Sequence, residues 1–321
     1  MNRTLSLVLA VGSLAASALV AADPRPRSTV AAPRGGDPAA LPMVVSAAWL
    51  ALHVRDPDVV ILHAGDAGAY RKQHIAGARR VALGDISVSD GEHGGLTLEL
   101  PPAEALRGRL EALGISNRSR IVVCFAPDWL ASATRIVFTL DAAGLGAHTA
   151  LLDGGLAAWQ AAGYAVTEAV PPPRTGALAP LAMRPIVVDA ATVLTSLGKP
   201  GFAVVDARDR VFYDGTQTGG SPQHPHRTGH IAGALSIPFD SVFDARGALR
   251  PDDDLRARFA SAGVAPGATV IGYCHIGQQA TALLFVARRL GHPVLLYDGA
   301  FEDWSLFHPG YPVEAKPEAR R

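Results

Sequence analysis

His74-Ile75-Ala76-Gly77-Ala78 recurs letter for letter as His230-Ile231-Ala232-Gly233-Ala234, and this recurrence decides how the rest of the chain is read. Three further pairs keep the same order around it. Met43-Val44-Val45-Ser46-Ala47-Ala48 corresponds to Ile186-Val187-Val188-Asp189-Ala190-Ala191, and Val60-Ile61-Leu62 to Ala203-Val204-Val205, both at an offset of 143 residues. Asp153-Gly154 with Trp159 corresponds to Asp298-Gly299 with Trp304 at an offset of 145, while the opening pair is offset by 156. Ordered matches with drifting offsets indicate a duplicated unit that has gained and lost residues since.

Each copy alternates short Val-, Ile- and Leu-rich runs with helical stretches such as Pro102 to Leu113 and Asp252 to Ala262. That rhythm predicts an α/β fold of two tandem domains, each a mostly parallel sheet flanked by helices. Ser46 and Asp189 follow the first strand of each copy, where a side-chain oxygen can cap the next helix. The copies are assigned to residues 43–169 and 186–316. Between them, the connector 170–185 contains Pro171, Pro172 and Pro173 in succession. Proline runs are extended and stiff, so the halves are expected to pack side by side with a small-molecule cleft at their interface.

Residues 1–22 read as a secretory signal peptide: Arg3, an apolar run from Leu5 to about Val20, then small residues up to Ala22. An uncleaved anchor is the alternative, although the run is short for a span. Residues 23–42 form a Pro- and Gly-containing flexible linker, and 317–321 a tail. The 29 basic and 29 acidic residues cancel, so neither nucleic acid nor an anionic membrane is an expected partner. No stable membrane insertion is expected after signal removal. The Ala-, Gly- and Arg-rich usage suggests an exported protein of a bacterial periplasm.

The chemistry is carried by Tyr273-Cys274-His275-Ile276-Gly277-Gln278-Gln279-Ala280-Thr281. An apolar run from Ala268 to Tyr273 stops at the cysteine, and an apolar helical run from Ala280 to Leu290 begins soon after. A short Gly-containing turn between strand and helix aims backbone N–H groups inward, at the positive end of the helix dipole. Such a setting is expected to lower a thiol pKa and hold an anion, making Cys274 a nucleophile for an anionic substrate. The alternative is a small buried hydrophobe. Only Cys124 and Cys274 are present, so no disulfide framework exists.

In this order the landmarks resemble the tandem rhodanese family of two-domain sulfurtransferases, from about Pro42 to Val313. The resemblance rests on Val205-Asp206-Ala207-Arg208, Gly229 to Ala234, the loop starting at Cys274, and Tyr297-Asp298-Gly299 leading to Trp304. It implies that the second copy is catalytic and that the first is an inactive duplicate shaping the cleft. The first copy fits, with His63-Ala64-Gly65 where the second has Asp206-Ala207-Arg208. Strand alignment sets Phe125 opposite Cys274, while anchoring on the following helix sets Pro127 or Trp129 there. Cys124 then reads as a buried strand residue, with a shifted register that makes it catalytic, or a Cys124–Cys274 disulfide, as the alternatives.

The implied activity is sulfur transfer without metal or organic cofactor. Cys274 takes the outer sulfur of an anionic donor as a persulfide and passes it to cyanide or a thiol, in a ping-pong cycle. The N–H groups of His275, Ile276, Gly277, Gln278 and Gln279 would cradle the sulfur and the departing anion. His275 could add positive charge or sit as an ordinary loop histidine. Arg208 could steer the anion or pair with a nearby carboxylate, and Arg227 could bind anions from a loop over the cleft. Asp206 is expected to orient backbone, His230 to make a structural hydrogen bond at a strand entry, and Trp304 to pack beneath the site.

The segment Ser221 to Arg227 holds His224 and His226, a weak ligand set for a metal. Mercaptopyruvate-type relatives carry Ser two residues after the cysteine, where this chain has Ile276. Thiosulfate-type relatives often carry Arg or Lys in the loop, and here only His275 could be charged. The pattern favours thiosulfate as donor, with 3-mercaptopyruvate and a non-catalytic exported sulfur relay or binding protein as alternatives. A cysteine phosphatase would need Arg at position 280 to clamp phosphate, and that residue is Ala280.

Overall fold

A computed structural model of the chain describes residues 39–89, 95–222 and 225–316. The expected signal peptide, the linker up to residue 38, the tail and His224 lie outside the described residues.

The duplication takes the form of two five-stranded parallel sheets. The first half runs β1 (Val44–Val45), α1 (Ala47–His53), β2 (Val59–Ala64), α2 (Ala67–Lys72), β3 (Arg79–Val81), α3 (Ala103–Ala112), β4 (Arg120–Phe125), α4 (Leu130–Ala142), β5 (Thr149–Leu152) and α5 (Gly155–Ala161). Its strands stand in the order β1-β5-β4-β2-β3.

The second half runs β6 (Val187–Val188), α6 (Ala190–Ser196), β7 (Phe202–Asp206), α7 (Arg210–Tyr213), β8 (His230–Ile231), β9 (Leu235–Ser236), α8 (Asp252–Ser261), β10 (Thr269–Tyr273), α9 (Ala280–Arg289), β11 (Val294–Tyr297), α10 (Ala300–Leu306) and β12 (Val313–Glu314). Its order, β6-β11-β10-β7-β9, is the first order transcribed. Strand β12 pairs antiparallel with β8, as the isolated bridge of His74 with Thr167 does in the first half.

The local reasons recur as well. Ser46 Oγ accepts from Trp49 N at 3.1 Å and Asp189 Oδ1 from Thr192 N at 2.8 Å, so both predicted caps form. Strands β2, β4, β7 and β10 carry helices on both faces, which is why they are nearly unbroken apolar runs instead of alternating ones. In each copy a tyrosine ring stacks on the histidine of the repeated pentapeptide, Tyr70 on His74 at 4.1 Å and Tyr213 on His230 at 3.6 Å. Each tyrosine donates its hydroxyl to the alanine ending that pentapeptide, Ala78 or Ala234. Tyrosine and histidine are four residues apart in the first copy and seventeen in the second. The thirteen added residues, within the loop 214–229, account for the change of offset from 143 to 156.

Helices α4 and α9 pack against each other and join the halves. Every residue from Ala131 to Ala142 is buried, as is every residue from Ala280 to Ala287. One apolar cluster runs through this contact, from Val60 and Leu62 of the first sheet to Val270 and Leu296 of the second. The connector is strapped to the first half: Gly176 N donates to Glu111 O at 2.7 Å, Ala179 N to Asn117 Oδ1 at 2.9 Å, and Arg184 pairs with Asp141.

Candidate active site

Strand β10 ends at Tyr273, and Cys274 is the next residue, fully buried at the head of the loop leading into α9. Backbone N–H groups of Ala280, Ile276 and Gln279 are directed at its thiol. The turn that aims them needs Gly277. Its φ is +74°, and a Cβ there would lie 2.7 Å from the Asp298 carbonyl oxygen. The loop is also held from α10: Phe301 N donates to Cys274 O and Glu302 N to His275 O, each at 3.0 Å.

The expected lowering of the thiol pKa is not what this closed site produces. Burial is the largest influence and pushes the Cys274 thiol above its ordinary value. The three N–H groups oppose that shift, and the nearby Asp206 charge adds to it. The cradle therefore favours the thiolate without overcoming the cost of burial.

Two predicted anion-binding residues are otherwise engaged. Arg208 is 1% exposed and its guanidinium grips Asp206, with Nη2 to Oδ2 at 2.6 Å and Nε to Oδ1 at 3.0 Å. Nη2 also donates to Gly229 O at 2.7 Å, and the guanidinium carbon sits 4.1 Å from the Phe301 ring centroid. Arg208 is thus held in a buried ion pair, the second of the two roles the sequence allowed it, and the Asp206 carboxylate accepts from both its guanidinium and its backbone N–H. Arg227 donates Nη1 to Tyr311 O at 2.7 Å and its backbone N–H to Ser305 Oγ. It ties the inserted loop to α10 and the segment beyond.

His230 and Trp304 lie where structural parts would lie. His230 Nδ1 is 2.7 Å from Tyr213 O and its Nε2 is 3.1 Å from Glu314 Oε1. Trp304 is fully buried and donates to Pro312 O, as Trp159 donates to Ala165 O in the first copy.

Gly219 and His226 of the inserted segment lie over the cradle, against His275. Gly219 passes so close to His275 that a Cβ would lie 2.6 Å from the ring Nδ1. His275 meets Phe212 edge-on at 4.6 Å and His226 at 5.6 Å, and the Nδ1 atoms of both histidines are buried without a partner. Burial first, then the Arg208 charge, lowers His275 to about 3 and His226 to about 4. His275 is therefore neutral near pH 7 and supplies no charge, contrary to one of the two roles the sequence allowed it. Among the described residues no group of three or more His, Cys, Asp or Glu is arranged to hold a metal ion.

A third buried histidine, His63, is likewise lowered to about 4 by burial, and together the three have a measurable consequence. A base with a depressed folded pKa contributes stability above its unfolded pKa and loses it as pH falls towards the folded value. Glu99, raised to about 7 by burial and by Asp298, works in the opposite sense over the same window. On balance the unfolded chain binds about two more protons at pH 5, so stability should fall by roughly 3 kcal/mol between pH 7 and pH 5. Urea unfolding at the two pH values measures this, and an unchanged midpoint would contradict it.

In the first copy the corresponding place is closed. His63 stands opposite Cys124 in the strand register, as Asp206 stands opposite Tyr273, so Phe125 takes the position of Cys274. Both ring nitrogens of His63 are buried and unpaired, and Cys124 is pushed up to about 12 by burial. Both cysteines are free.

The residue that sequence reasoning missed is Arg135, the lone cation among the apolar and small residues of α4. It is fully buried and reaches across the domain contact, with Nη1 on Asp298 Oδ1 at 2.5 Å and on Gly277 O at 3.2 Å. Nearby, Gln278 Nε2 donates to Ser132 Oγ at 2.9 Å, and Thr134 and Thr281 hydroxyls meet at 3.0 Å. A charge inside a buried helix was the signal available; its partners, in the other half of the chain, were not.

Comparison with known proteins agrees with this arrangement. The profile of the rhodanese-like domain matches residues 46–162 and again 189–306. A thiosulfate sulfurtransferase from Pseudomonas aeruginosa is 31% identical over 85% of this chain and 97% of its own length. A probable 3-mercaptopyruvate sulfurtransferase from the same species is also 31% identical, over 84% of this chain and 97% of its own. The crystal structure of an Escherichia coli 3-mercaptopyruvate sulfotransferase of rhodanese fold superposes with a TM-score of 0.69 at 28% identity, covering 80% of this chain and 98% of that one.

Proposed function

Because the chain belongs to the rhodanese family and is a two-domain sulfurtransferase, we propose that its second half is the catalytic copy and that Cys274 carries the sulfur. The observation that supports this most directly is the convergence of the Ile276, Gln279 and Ala280 N–H groups on the Cys274 thiol. With thiosulfate as donor, the Cys274 thiolate attacks the outer sulfur. The S–S bond breaks, sulfite leaves with the bonding pair, and the thiol's proton passes to solvent or to the departing sulfite. Cyanide or an acceptor thiolate then attacks the outer sulfur of the persulfide and returns Cys274 as thiolate. The N–H cradle stabilises the charge on sulfur at both stages.

Thiosulfate is the proposed donor. The two equally similar Pseudomonas relatives do not decide the matter, so the loop must. A compact dianion needs N–H groups, which the loop supplies. The hydroxyl that serves mercaptopyruvate in its own enzymes is replaced by Ile276, and an apolar side chain cannot make that hydrogen bond. The expected result is a higher kcat/KM for thiosulfate than for 3-mercaptopyruvate with cyanide as common acceptor, read as thiocyanate release. A clear advantage for mercaptopyruvate would overturn the donor assignment. A stable persulfide without turnover would favour a relay instead.

Export to a bacterial periplasm is part of the same reading, supported by the Arg3 region and the apolar run ending at Ala22. Among the described residues no helix is long and apolar enough to cross a membrane. The secreted protein is expected to begin near Asp23; N-terminal sequencing that found Met1 would refute this.

A further inference from the structure

We propose that Arg135, a residue of the first half, is a positioning residue for Cys274, acting through the Gly277 carbonyl and the Asp298 carboxylate to keep the loop N–H groups aimed at the thiol. The proposal rests on the reading of Cys274 as the sulfur carrier and assigns part of that site to the other copy.

Stability alone is a poor reason for an arginine here. Its side chain is fully buried in a helix whose residues from Ala131 to Ala142 are all buried, and its Nε has no partner. A buried charge costs several kcal/mol unless its hydrogen bonds are well made, and an apolar residue of similar size is often as stable or more so. What Arg135 does differently from its neighbours Ile136 and Val137 is bind three separate segments of chain at once, two through carbonyls and one through a carboxylate. Nη1 reaches Gly277 O and Asp298 Oδ1, and Nη2 reaches Leu98 O at 2.5 Å. The other Asp298 oxygen accepts from Leu100 N at 2.8 Å.

Gly277 is the point where this network meets the cradle. It holds φ +74°, and a Cβ on it would lie 2.9 Å from Asp298 Oδ1 and 3.1 Å from Arg135 Nη1, so the turn is seated directly on the ion pair. Ile276 and Gln279, which flank the turn, supply two of the three N–H groups facing the thiol. Releasing the Gly277 carbonyl would free that turn to rotate and swing those groups away from sulfur. It would also leave the Asp298 charge without its counter-ion beside a site that must hold a thiolate.

A control exists in the same contact. Arg288 pairs with Asp141 at 2.6 Å and also joins the halves, two turns further along α9. Arg135→Met, Arg135→Lys and Arg288→Met, each in the full chain carrying Cys124→Ser, separate positioning from adhesion. The readouts are the pH profile of Cys274 alkylation by iodoacetamide, the rate of one-sulfur loading by intact mass, and the thermal midpoint. The groups around the thiol, Asp206, Arg208, His226 and His275, are unaltered in all three.

Arg135→Met should move the alkylation profile up by about one pH unit and slow sulfur loading roughly tenfold or more. Arg135→Lys should recover part of the profile but less of the rate, because one ammonium cannot reproduce the guanidinium fork. Arg288→Met should lower the midpoint with profile and rate unchanged. The proposal fails if Arg135→Met, or Arg135→Lys should the former not fold, leaves profile and rate within twofold of the parent. It fails equally if Arg288→Met shifts them as much. Should the parent itself take no sulfur on Cys274, the function proposed above fails, while the alkylation profiles still decide the role of Arg135.

Discussion

Replacing Cys274 with serine should abolish sulfur transfer, with a loss of at least about a thousand-fold, while replacing Cys124 with serine should leave most of the activity. The two thiols share burial and differ in what faces them. Cys274 heads a turn whose N–H groups of Ala280, Ile276 and Gln279 point at sulfur, at the start of a ten-residue helix. Cys124 lies inside β4, opposed by His63, and burial pushes its thiol up to about 12, so it is never a thiolate near neutral pH. A serine in place of Cys274 fits the cradle but cannot form a persulfide. Intact mass after exposure to thiosulfate should show one added sulfur on the parent and the Cys124→Ser protein, and none on Cys274→Ser. Sulfur bound to Cys124 would reverse the assignment of the active half.

Arg208→Met should cost about 3–5 kcal/mol of unfolding free energy, the scale for breaking a desolvated ion pair from one side. Arg208 is 1% exposed and Asp206 not at all, so the remaining carboxylate would be stranded with little besides the backbone N–H of residue 208 to bond. The Gly229 carbonyl and the Phe301 ring would lose their cation as well. Adding Asp206→Asn should recover part of the loss, because the stranded charge is then removed. Urea unfolding of both single variants and the double variant gives the coupling directly. A loss below about 1 kcal/mol for Arg208→Met would place the pair in the exposed class, against its burial here. Activity should fall too, since the uncovered Asp206 charge raises the thiol further.

Fold and nucleophile were legible for different reasons. The repeat exposed the domain count, because divergence had left the Ile-Ala-Gly-Ala turn and the strand cores alike in both copies. The cysteine stood out because the chain has only two, and only one stands at a strand-to-helix crossing with a glycine after it. What could not be read was desolvation. Asp206-Ala207-Arg208 looks the same in one dimension whether Arg208 faces solvent or folds back on Asp206. The extra residues before His230 were visible as a change of offset, but not as a cover over His275, which is what makes that imidazole neutral. Arg135 could be flagged only as a charge out of place, because its partners Gly277 and Asp298 lie in the other repeat.

The α4–α9 contact also shows what the copy with Phe125 in the place of Cys274 contributes to the whole. Cut apart at the connector, each half would present to water a largely apolar helix surface that the other half now covers, eight or more successive buried residues long. Neither repeat can then be lost without exposing an aggregation-prone surface on its sibling. Along that one helix the shape of the first repeat is tied to the shape of the second. The two repeats are therefore halves of one shared core and not separable beads on a string.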